Sequence, residues 1–214
     1  MKVLLIGANG QVGQHIVDML QDNDLHSLRA MVRKEEQAQE LQKRGIEAVL
    51  ANLEGSVDEL AKAMEGCDAV VFSAGSGGST GYDKTLLIDL DGAAKAVEAA
   101  EKAGIKRFIM VSAIQAHRRE NWSEELKPYF VAKHYADKVL EASSLNYTIV
   151  RPGGLLNEPA TGKVKVAEDL ERGSIPREDV AAVIIRSLTE EKAFRRSFDL
   201  VSGETPVAEA LQLL

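Results

Sequence analysis

Cysteine is almost absent from this sequence, and its scarcity excludes a disulfide-stabilised fold. The single cysteine, Cys67, has no second thiol with which to pair. The chain must therefore be held together by an apolar core, and a reducing compartment is expected. Cys67 comes just before the apolar run DAVVFSAG, and no Cys-x-x-Cys pattern accompanies it. We expect an inert core residue rather than a nucleophile.

Clustered positive charge and long apolar runs are also missing. The 26 lysines and arginines are scattered among 33 acidic residues, for a net charge of -7. Neither nucleic acid nor an anionic membrane surface is therefore expected as a partner. The first residues, MKVLLIGANG, hold too short an apolar run for a signal peptide, and no later run approaches a membrane span. A cytoplasmic protein is expected.

Histidine is sparse as well, which bears on metal binding. The four histidines stand far apart in the sequence, without Glu-x-x-His or His-x-His spacing. Zinc sites in proteins commonly use closely spaced pairs of ligands. We expect no metal site.

Short β-type runs alternate with longer amphipathic stretches over the first 150 or so residues. The runs are apolar almost throughout, which is typical of strands buried on both faces of a parallel sheet. Alternation of strands and helices with short connections indicates βαβ units with right-handed crossovers. The sequence thus predicts an α/β fold, a Rossmann-type doubly wound parallel sheet with helices on both faces. The predicted strands are residues 2–7, 27–33, 46–52, 68–75, 107–113 and 146–153.

The length of 214 residues, 45% of them hydrophobic, suits a single domain spanning residues 1–214. Gly45 and Gly104 each follow a helical stretch and precede a strand, as glycines that end helices do. Residues 154–214 are too few for a separate substrate domain. We expect them to form a small C-terminal extension that contributes a substrate-side flap, with a helix at 177–189, a strand near 197–201 and a short terminal helix.

The stretch GANGQVG places three glycines directly after the first strand and at the mouth of a helix. In a βαβ unit, Gly7 permits the tight turn, Gly10 lets the backbone approach a pyrophosphate, and Gly13 allows close packing of the helix. The unpaired N–H groups of the helix then face the phosphates. A purely structural turn is the alternative, but the strand–turn–helix context favours dinucleotide binding. The expected contacts in this loop are Gly7, Asn9, Gly10, Gln11, Val12 and Gly13.

The end of the second strand favours NADP(H) over NAD(H). An NAD site would place an acidic residue there to bind the ribose hydroxyls, whereas this chain has Arg33 and Lys34. A guanidinium can pair with a 2′-phosphate through two hydrogen bonds. The alternative is a surface arginine whose charge is neutralised by Glu35 and Glu36.

Two tyrosine–lysine pairs occur in PYFVAKHYADKVLEASS, residues 128–144. Pro128 can begin a helix, because its missing N–H costs nothing in the first turn. Tyr129 and Lys133 are four residues apart and would face the same way on that helix. The spacing alone is equally typical of an ordinary solvated helix face.

Several segments together resemble the short-chain dehydrogenase/reductase superfamily, over nearly the whole chain. Within it, the chain is similar to small atypical members of the NmrA-like, epimerase/dehydratase-like and biliverdin/flavin-reductase types. The resemblance is specific for the fold and less so for activity, since some atypical members only sense the cofactor. The segments that carry it are GANGQVG, VRK, VFSAGS, FIMVSA, YFVAK, VRPGG and PREDVAAVI.

The resemblance implies catalytic roles for four residues. Tyr129 would exchange a proton with the substrate, while Lys133 would hydrogen-bond the nicotinamide ribose and lower the pKa of the tyrosine. Ser112 would hydrogen-bond the substrate, although a strand-end serine bonded to backbone is as consistent with the sequence. Asp89 stands three residues before Gly92, where the family usually has an asparagine. It would act as an acid or base, or only cap buried backbone groups.

Further cofactor contacts are expected at the carboxyl ends of the strands, where open α/β sheets bind ligands. Those after the third strand would meet adenine, those after the fourth the adenosine ribose and pyrophosphate, and those after the sixth the nicotinamide. They are Asn52, Leu53, Ala74, Gly75, Ser76, Pro152 and Gly153.

Three polar loops, SGGSTGYD, QAHRRENW and LLNEPATGK, are expected to form the rim of a substrate site. In the second loop His117, Arg118, Arg119 and Trp122 are the most suggestive residues. A solvated loop anchored by its tryptophan is the alternative.

Three functions follow from these patterns. The first is an NADP-dependent oxidoreductase or sugar-epimerase-like enzyme that acts on a small carbonyl or hydroxyl substrate. The second is a non-catalytic NADP(H) sensor of the NmrA kind, and the third is a flavin or quinone reductase. The expected partner is a small-molecule substrate, and the expected state is a monomer or small homo-oligomer.

Overall fold

Six parallel strands form the centre of the protein. The computed structural model describes residues 1–77 and 80–214. The strands stand in the order β3-β2-β1-β4-β5-β6, which is the order of a Rossmann sheet, with the connection reversing direction between β1 and β4. The predicted strands are confirmed, each one to four residues shorter than predicted. They are β1 Lys2–Ile6, β2 Ser27–Val32, β3 Glu47–Leu50, β4 Ala69–Phe72, β5 Arg107–Val111 and β6 Asn146–Pro152.

Helices cover both faces of this sheet, as predicted. Alternate residues of a strand point to opposite faces. Accordingly, Val3 and Leu5 of β1 pack with helices α1, α2, α7 and α8, while Leu4 and Ile6 pack with α3, α5 and α6. The helices are α1 Gln11–Gln21, α2 Glu35–Lys43, α3 Val57–Met64, α4 Tyr82–Lys84, α5 Ala93–Lys102, α6 Lys127–Ala142, α7 Arg177–Ser187 and α8 Val207–Gln212.

The helical stretch that ends at Gly104 contains a segment that the sequence did not indicate. Between α4 and α5, Thr85–Gly92 forms a π-helix. Asp89 lies in the middle of this segment and is 1% exposed. π-Helical turns are rare and occur frequently at functional sites. The altered winding thus coincides with the position where this chain departs from the family's usual asparagine.

The C-terminal residues extend the main sheet and add a smaller one. β10 runs parallel to β6, whereas β8 runs antiparallel to both β10 and β11. The predicted parallel sheet is thus confirmed, and its C-terminal edge is antiparallel. β7 and β9 form a separate two-stranded sheet. These strands are β7 Gly154–Leu156, β8 Lys163–Ala167, β9 Ser174–Pro176, β10 Arg196–Ser202 and β11 Thr205–Pro206.

Two predicted helix ends are marked by glycines in the left-handed backbone conformation. Gly45 and Gly104 adopt φ values of +76° and +74° after their helices, a conformation that glycine tolerates best. Pro128 lies in the first turn of α6, as predicted.

Cys67 is a free thiol that is only partly buried, whereas full burial was predicted. Within residues 1–77 and 80–214, no helix has the length and apolar character to cross a membrane.

Candidate active site

The glycine-rich loop leaves open space and free N–H groups at the start of α1. Gly7 has a φ of +95°, and a side chain there would lie 2.6 Å from the backbone nitrogen of Ala74. A Cβ on Gly13 would lie 2.1 Å from the Gly7 carbonyl oxygen, so the helix packs directly on the loop. Among the described residues no side chain caps α1, and its first turn has no acidic residue. The free N–H groups and the positive end of the helix dipole therefore fit a pyrophosphate.

A cavity of about 360 Å³ lies beside this loop, where the adenosine half of a dinucleotide is predicted to bind. Arg33 lies on its wall together with Gln37. Within the described part of the chain Arg33 has no ion pair, so Glu35 and Glu36 do not neutralise it by direct contact. Other residues of the wall include Ala8, Asn9, Met31, Leu53, Ala74 and Ile88.

Two residues predicted to contact the adenosine half lie elsewhere. Asn52 does not line the cavity, and its side-chain oxygen accepts a hydrogen bond from the backbone N–H of Glu54 at 3.1 Å. Lys34 lies outside the cavity wall and precedes α2. The neighbouring Leu53 does line the cavity, so this strand end contributes a single apolar contact.

A second cavity, of about 700 Å³, continues from the first along the end of β4. Its walls bring together residues predicted for the phosphate loop, for the end of β4, for catalysis and for the nicotinamide. These are Gly10, Gln11, Val12, Ala74, Gly75, Ser76, Asp89, Ser112, Tyr129, Lys133 and Pro152.

Gly153 has a structural role rather than a place on the cavity wall. A Cβ there would lie 2.3 Å from the carbonyl oxygen of Gly173. The end of β6 therefore passes so close to the flap that only glycine fits. Gly153 is therefore needed for packing within the protein, and its contact with the nicotinamide stays a prediction.

Lys133 and Asp89 form a buried ion pair in this second cavity. Lys133 Nζ lies 3.1 Å from Asp89 Oδ1 and donates a hydrogen bond to the carbonyl oxygen of Val111 at 3.3 Å. The other carboxylate oxygen of Asp89 accepts a hydrogen bond from the backbone N–H of Ser76 at 3.0 Å. Asp89 thus fixes both the lysine and the backbone at the end of β4.

Tyr129 lies on the same face of α6 as Lys133, whose Nζ is 5.7 Å from the centre of the tyrosine ring. Burial raises the pKa of the Tyr129 phenol above its ordinary value, and the charge of Lys133 opposes this only in part. Burial disfavours the Lys133 ammonium, but Tyr129 and Asp89 outweigh it and raise the pKa of Lys133. The expectation of a lowered tyrosine pKa is therefore wrong, because desolvation exceeds the effect of the lysine. At neutral pH the site holds a phenol and an ammonium.

Ser112, at the end of β5, is 4% exposed. Its Oγ has no hydrogen-bond partner of good geometry among the described residues, so the alternative of a serine satisfied by backbone is not what the structure shows. Asp137, one turn beyond Lys133 on α6, is buried nearby and pairs with Arg151 at 2.9 Å. Burial raises the pKa of Asp137, and Arg151 and the Ser112 hydroxyl oppose that rise.

The loop QAHRRENW does not reach the cavity. Trp122 stacks on Phe130 with ring centres 6.1 Å apart and donates a hydrogen bond from Nε1 to the Gln115 carbonyl oxygen. Arg119 lies against Tyr135 of α6, donating to its hydroxyl at 3.1 Å. The alternative of a loop anchored by its tryptophan agrees with these contacts.

The other two predicted rim loops do contribute to the cavity. Tyr82 of SGGSTGYD and Leu155 of LLNEPATGK line it. Gly78 and Ser79 of the first loop lie outside the described residues. Sequence reasoning missed Thr85, Leu126 and Arg177, which also line the cavity. The only sequence signal for Arg177 is its place in PREDVAAVI, one of the segments that carry the family resemblance.

His117, Asp169 and Asp199 come close enough to hold a metal ion, although they are far apart in the sequence. Each carboxylate lies 3.9 Å from the imidazole. Arg118 donates to Asp169 at 2.7 Å, and two backbone N–H groups donate to Asp199. The carboxylates are already satisfied, which disfavours a cation there.

The sheet order, the uncapped helix behind the glycine loop and the Tyr129–Lys133 face define an atypical short-chain dehydrogenase/reductase. Residues 7–191 match the NAD(P)H-binding family. The chain belongs to this family.

Relatives cover the whole chain. A Bacillus subtilis protein named as an uncharacterized sugar epimerase, YhfK, is 70% identical over 100% of both chains. A Bacillus halodurans structure, whose name places it with the NAD-dependent epimerases/dehydratases, is 46% identical over 100% of both chains, with a TM-score of 0.94. The Lactococcus lactis oxidoreductase ylbE is 32% identical over 100% of this chain and 96% of its own, with a TM-score of 0.90.

Proposed function

We propose that this protein is an NADP(H)-dependent oxidoreductase that acts on a small carbonyl or hydroxyl substrate. The observation that carries the proposal is the second cavity, in which Tyr129 and Lys133 face the same space as the glycine-rich loop. The names of the relatives, an oxidoreductase and a sugar epimerase among them, agree with this class of chemistry. Bound NADPH would supply the hydride.

The preference for NADP(H) rests on Arg33. Its side chain borders the adenosine cavity where a ribose 2′-phosphate would lie. Gln37 lies on the first turn of α2, and its side-chain oxygen accepts a hydrogen bond from the backbone N–H of Arg33 at 3.3 Å. This bond fixes the end of β2. An arginine without an ion pair in the described part of the chain can bind phosphate with two charge-assisted hydrogen bonds.

Tyr129 is suited to give a proton to a carbonyl oxygen. Because its pKa is raised, it carries its proton at neutral pH. In the reduction, the carbonyl carbon would gain the hydride while the oxygen takes the Tyr129 proton, leaving an alcohol and a phenolate. The Lys133 ammonium would stabilise that phenolate at the moment it forms. Solvent returns the proton afterwards.

Ser112 would bind the same carbonyl oxygen. Its hydroxyl is buried at the cavity wall near Asp137 and has no hydrogen bond of good geometry among residues 1–77 and 80–214. A buried polar group that is not fully hydrogen-bonded is costly. A substrate oxygen would satisfy it. The site then offers two hydroxyl donors, Ser112 and Tyr129, to one substrate atom.

The test is a screen of NADPH oxidation over aldehydes, ketones, quinones and flavins, with Tyr129→Phe in parallel. Nucleotide sugars are included and checked for product by chromatography, because an epimerase regenerates its cofactor without net oxidation. The proposal predicts turnover of at least one carbonyl class that falls about 100-fold or more in the variant. Unchanged turnover in Tyr129→Phe would show that the mechanism is wrong. Turnover confined to flavins or quinones would identify the protein as a flavin or quinone reductase.

A non-catalytic NADP(H) sensor is the second candidate, and one observation favours it. Lys133 is already paired with Asp89, where the family's usual asparagine would leave the ammonium without a counter-charge. Tight NADPH binding without chemistry on any substrate of the screen would support the sensor. Equal binding of a regulatory partner to the apo protein and to both redox forms would exclude it.

A further inference from the structure

Arg177 is the one uncompensated cation on the wall of the second cavity, within the part of the chain that the structure describes. It opens α7, and its Nη1 donates to the Leu155 carbonyl oxygen at 3.0 Å and to Asn157 Oδ1 at 2.8 Å. Its Nε is buried and has no hydrogen-bond partner among the described residues. No carboxylate there lies within ion-pair distance of it. The guanidinium is held in place with part of its donor capacity unused.

No carboxylate on the described cavity wall pairs with this arginine, although the formal charges of the wall sum to zero. Four charged residues line it: Asp89, Glu125, Lys133 and Arg177. Asp89 and Lys133 neutralise each other. Glu125 is an exposed residue whose peptide carbonyl accepts the Tyr82 hydroxyl at 3.1 Å. A partly buried charge without a partner is unfavourable, and in a protein of net charge -7 the fixed guanidinium is a local site for an anion.

Apolar side chains surround the same cavity at its mouth. Tyr82 is 58% exposed, Leu126 46% and Leu155 37%, and all three line the cavity. Ligand sites combine an apolar lining with a few polar groups that fix orientation. The lining here matches a flat or aliphatic body, and the arginine matches a negative group attached to it.

The geometry points to a substrate with an apolar body and a carboxylate, and assigns Arg177 as the residue that binds the carboxylate. This rests on the proposed function, since it names the substrate class of that site. Arg177 does not line the adenosine cavity that contains Arg33, so it is not the binding residue for the 2′-phosphate. Guanidinium and carboxylate form charge-assisted hydrogen bonds. Here Nη2 supplies the donors, since Nη1 already donates to Leu155 and Asn157 and Nε is buried.

The experiment compares two probes of the same shape, 2-naphthoate and 2-naphthamide, by calorimetric titration into the protein saturated with NADP⁺. Arg177→Gln and Arg177→Lys are measured beside Arg186→Gln. Arg186 is the matched control because it lies on the same helix, outside the cavity, and pairs with Glu190 at 3.2 Å. Thermal unfolding and NADPH titration of each variant establish that the fold and the cofactor site are intact.

Wild type and Arg186→Gln are expected to bind naphthoate about tenfold or more tightly than naphthamide, the scale of a charge-assisted hydrogen bond. The ratio should fall to about one in Arg177→Gln and be partly kept in Arg177→Lys. No binding of naphthoate, equal binding of the two probes to wild type, or an unchanged ratio in Arg177→Gln would overturn the assignment. Because the titration needs no turnover, carboxylate selectivity without NADPH oxidation would contradict the proposed function and leave Arg177 as a carboxylate site.

Discussion

Lys133 Nζ lies 3.1 Å from Asp89 Oδ1, and the two side chains are 6% and 1% exposed. The lysine comes from α6 and the aspartate from the π-helical segment before α5, so the pair joins two of the elements that form the cavity wall. It also sets the charge of the candidate site. The ammonium that faces Tyr129 is held by a carboxylate from the opposite side.

Asp89→Asn should destabilise the fold. The amide can still accept the Ser76 N–H, but Lys133 is left as a buried charge without a counter-charge, a change that costs about 3–5 kcal/mol. Urea unfolding measures this loss in the free energy of unfolding. Asp91→Asn is the control, because Asp91 lies two residues along, is 54% exposed and pairs with Lys95; its cost should stay below about 1 kcal/mol. Similar losses in the two variants would contradict the importance of the buried pair.

The ion pair should also make stability depend on alkaline pH. The pKa of Lys133 is raised on folding, so its stabilising contribution is complete below the ordinary lysine value of about 10.4 and is lost as the pH rises through the higher folded value. We expect the free energy of unfolding of wild type to fall more above about pH 10 than that of Asp89→Asn. Parallel curves for the two proteins would show that Asp89 does not raise the pKa of Lys133.

The pH profile of carbonyl reduction should follow the Tyr129 phenol. Because burial raises the pKa of this group above about 10, its proton is present throughout the neutral range. We expect kcat/KM for reduction to stay level from about pH 6 to 9 and to fall only above about pH 10. Tyr129→Phe should lose this alkaline limb together with most of its rate. A decline centred near pH 7 in wild type would mean that Lys133 lowers the tyrosine pKa after all.

Arg33→Ala should reduce the discrimination between the two nicotinamide cofactors. Loss of the guanidinium removes charge-assisted bonds to the 2′-phosphate, so NADPH binding should weaken about tenfold or more while NADH binding changes little. Fluorescence titration with both cofactors measures this. Lys34→Ala is the control, because Lys34 lies outside the cavity wall. Equal losses for NADPH and NADH would place the 2′-phosphate elsewhere.

Gly153 and its neighbour Gly154 should respond differently to the same substitution. A Cβ on Gly153 would lie 2.3 Å from the Gly173 carbonyl oxygen, whereas a Cβ on Gly154 would meet nothing closer than 3.7 Å. Gly153→Ala should therefore destabilise by about 1–3 kcal/mol, as over-packing does, and Gly154→Ala by much less. Thermal unfolding of both proteins measures the difference. Equal melting temperatures would show that the flap can move away from β6.

The sheet, the glycine loop and the tyrosine–lysine pair were predictable because each leaves a local pattern. Apolar strands alternate with helical periodicity, and the glycines of GANGQVG occupy fixed offsets after β1. The four-residue spacing places Tyr129 and Lys133 on one face of a helix, whereas their catalytic roles were implied by the family resemblance. Such signals need no knowledge of what lies across the fold.

The rest could not be read from the sequence because it depends on tertiary contacts. No local pattern near Asp89 indicates a π-helix. The ion pair of Asp89 with Lys133 joins residues 44 positions apart in the sequence. The Tyr129 pKa was predicted with the wrong sign because the lysine is local in sequence, while the burial that outweighs it comes from packing. The strands β7, β9 and β11 have only two or three residues each, too few for a clear alternation.

The most direct test of the central claim is a single turnover with NADPH deuterated at the reactive C4 position and a carbonyl substrate from the screen. If the cavity transfers hydride beside Tyr129, mass spectrometry will find one deuterium on the former carbonyl carbon of the alcohol. Tyr129→Phe will form that product about 100-fold more slowly while binding NADPH as tightly as wild type. An alcohol without deuterium, or equal rates in the two proteins, would contradict the account.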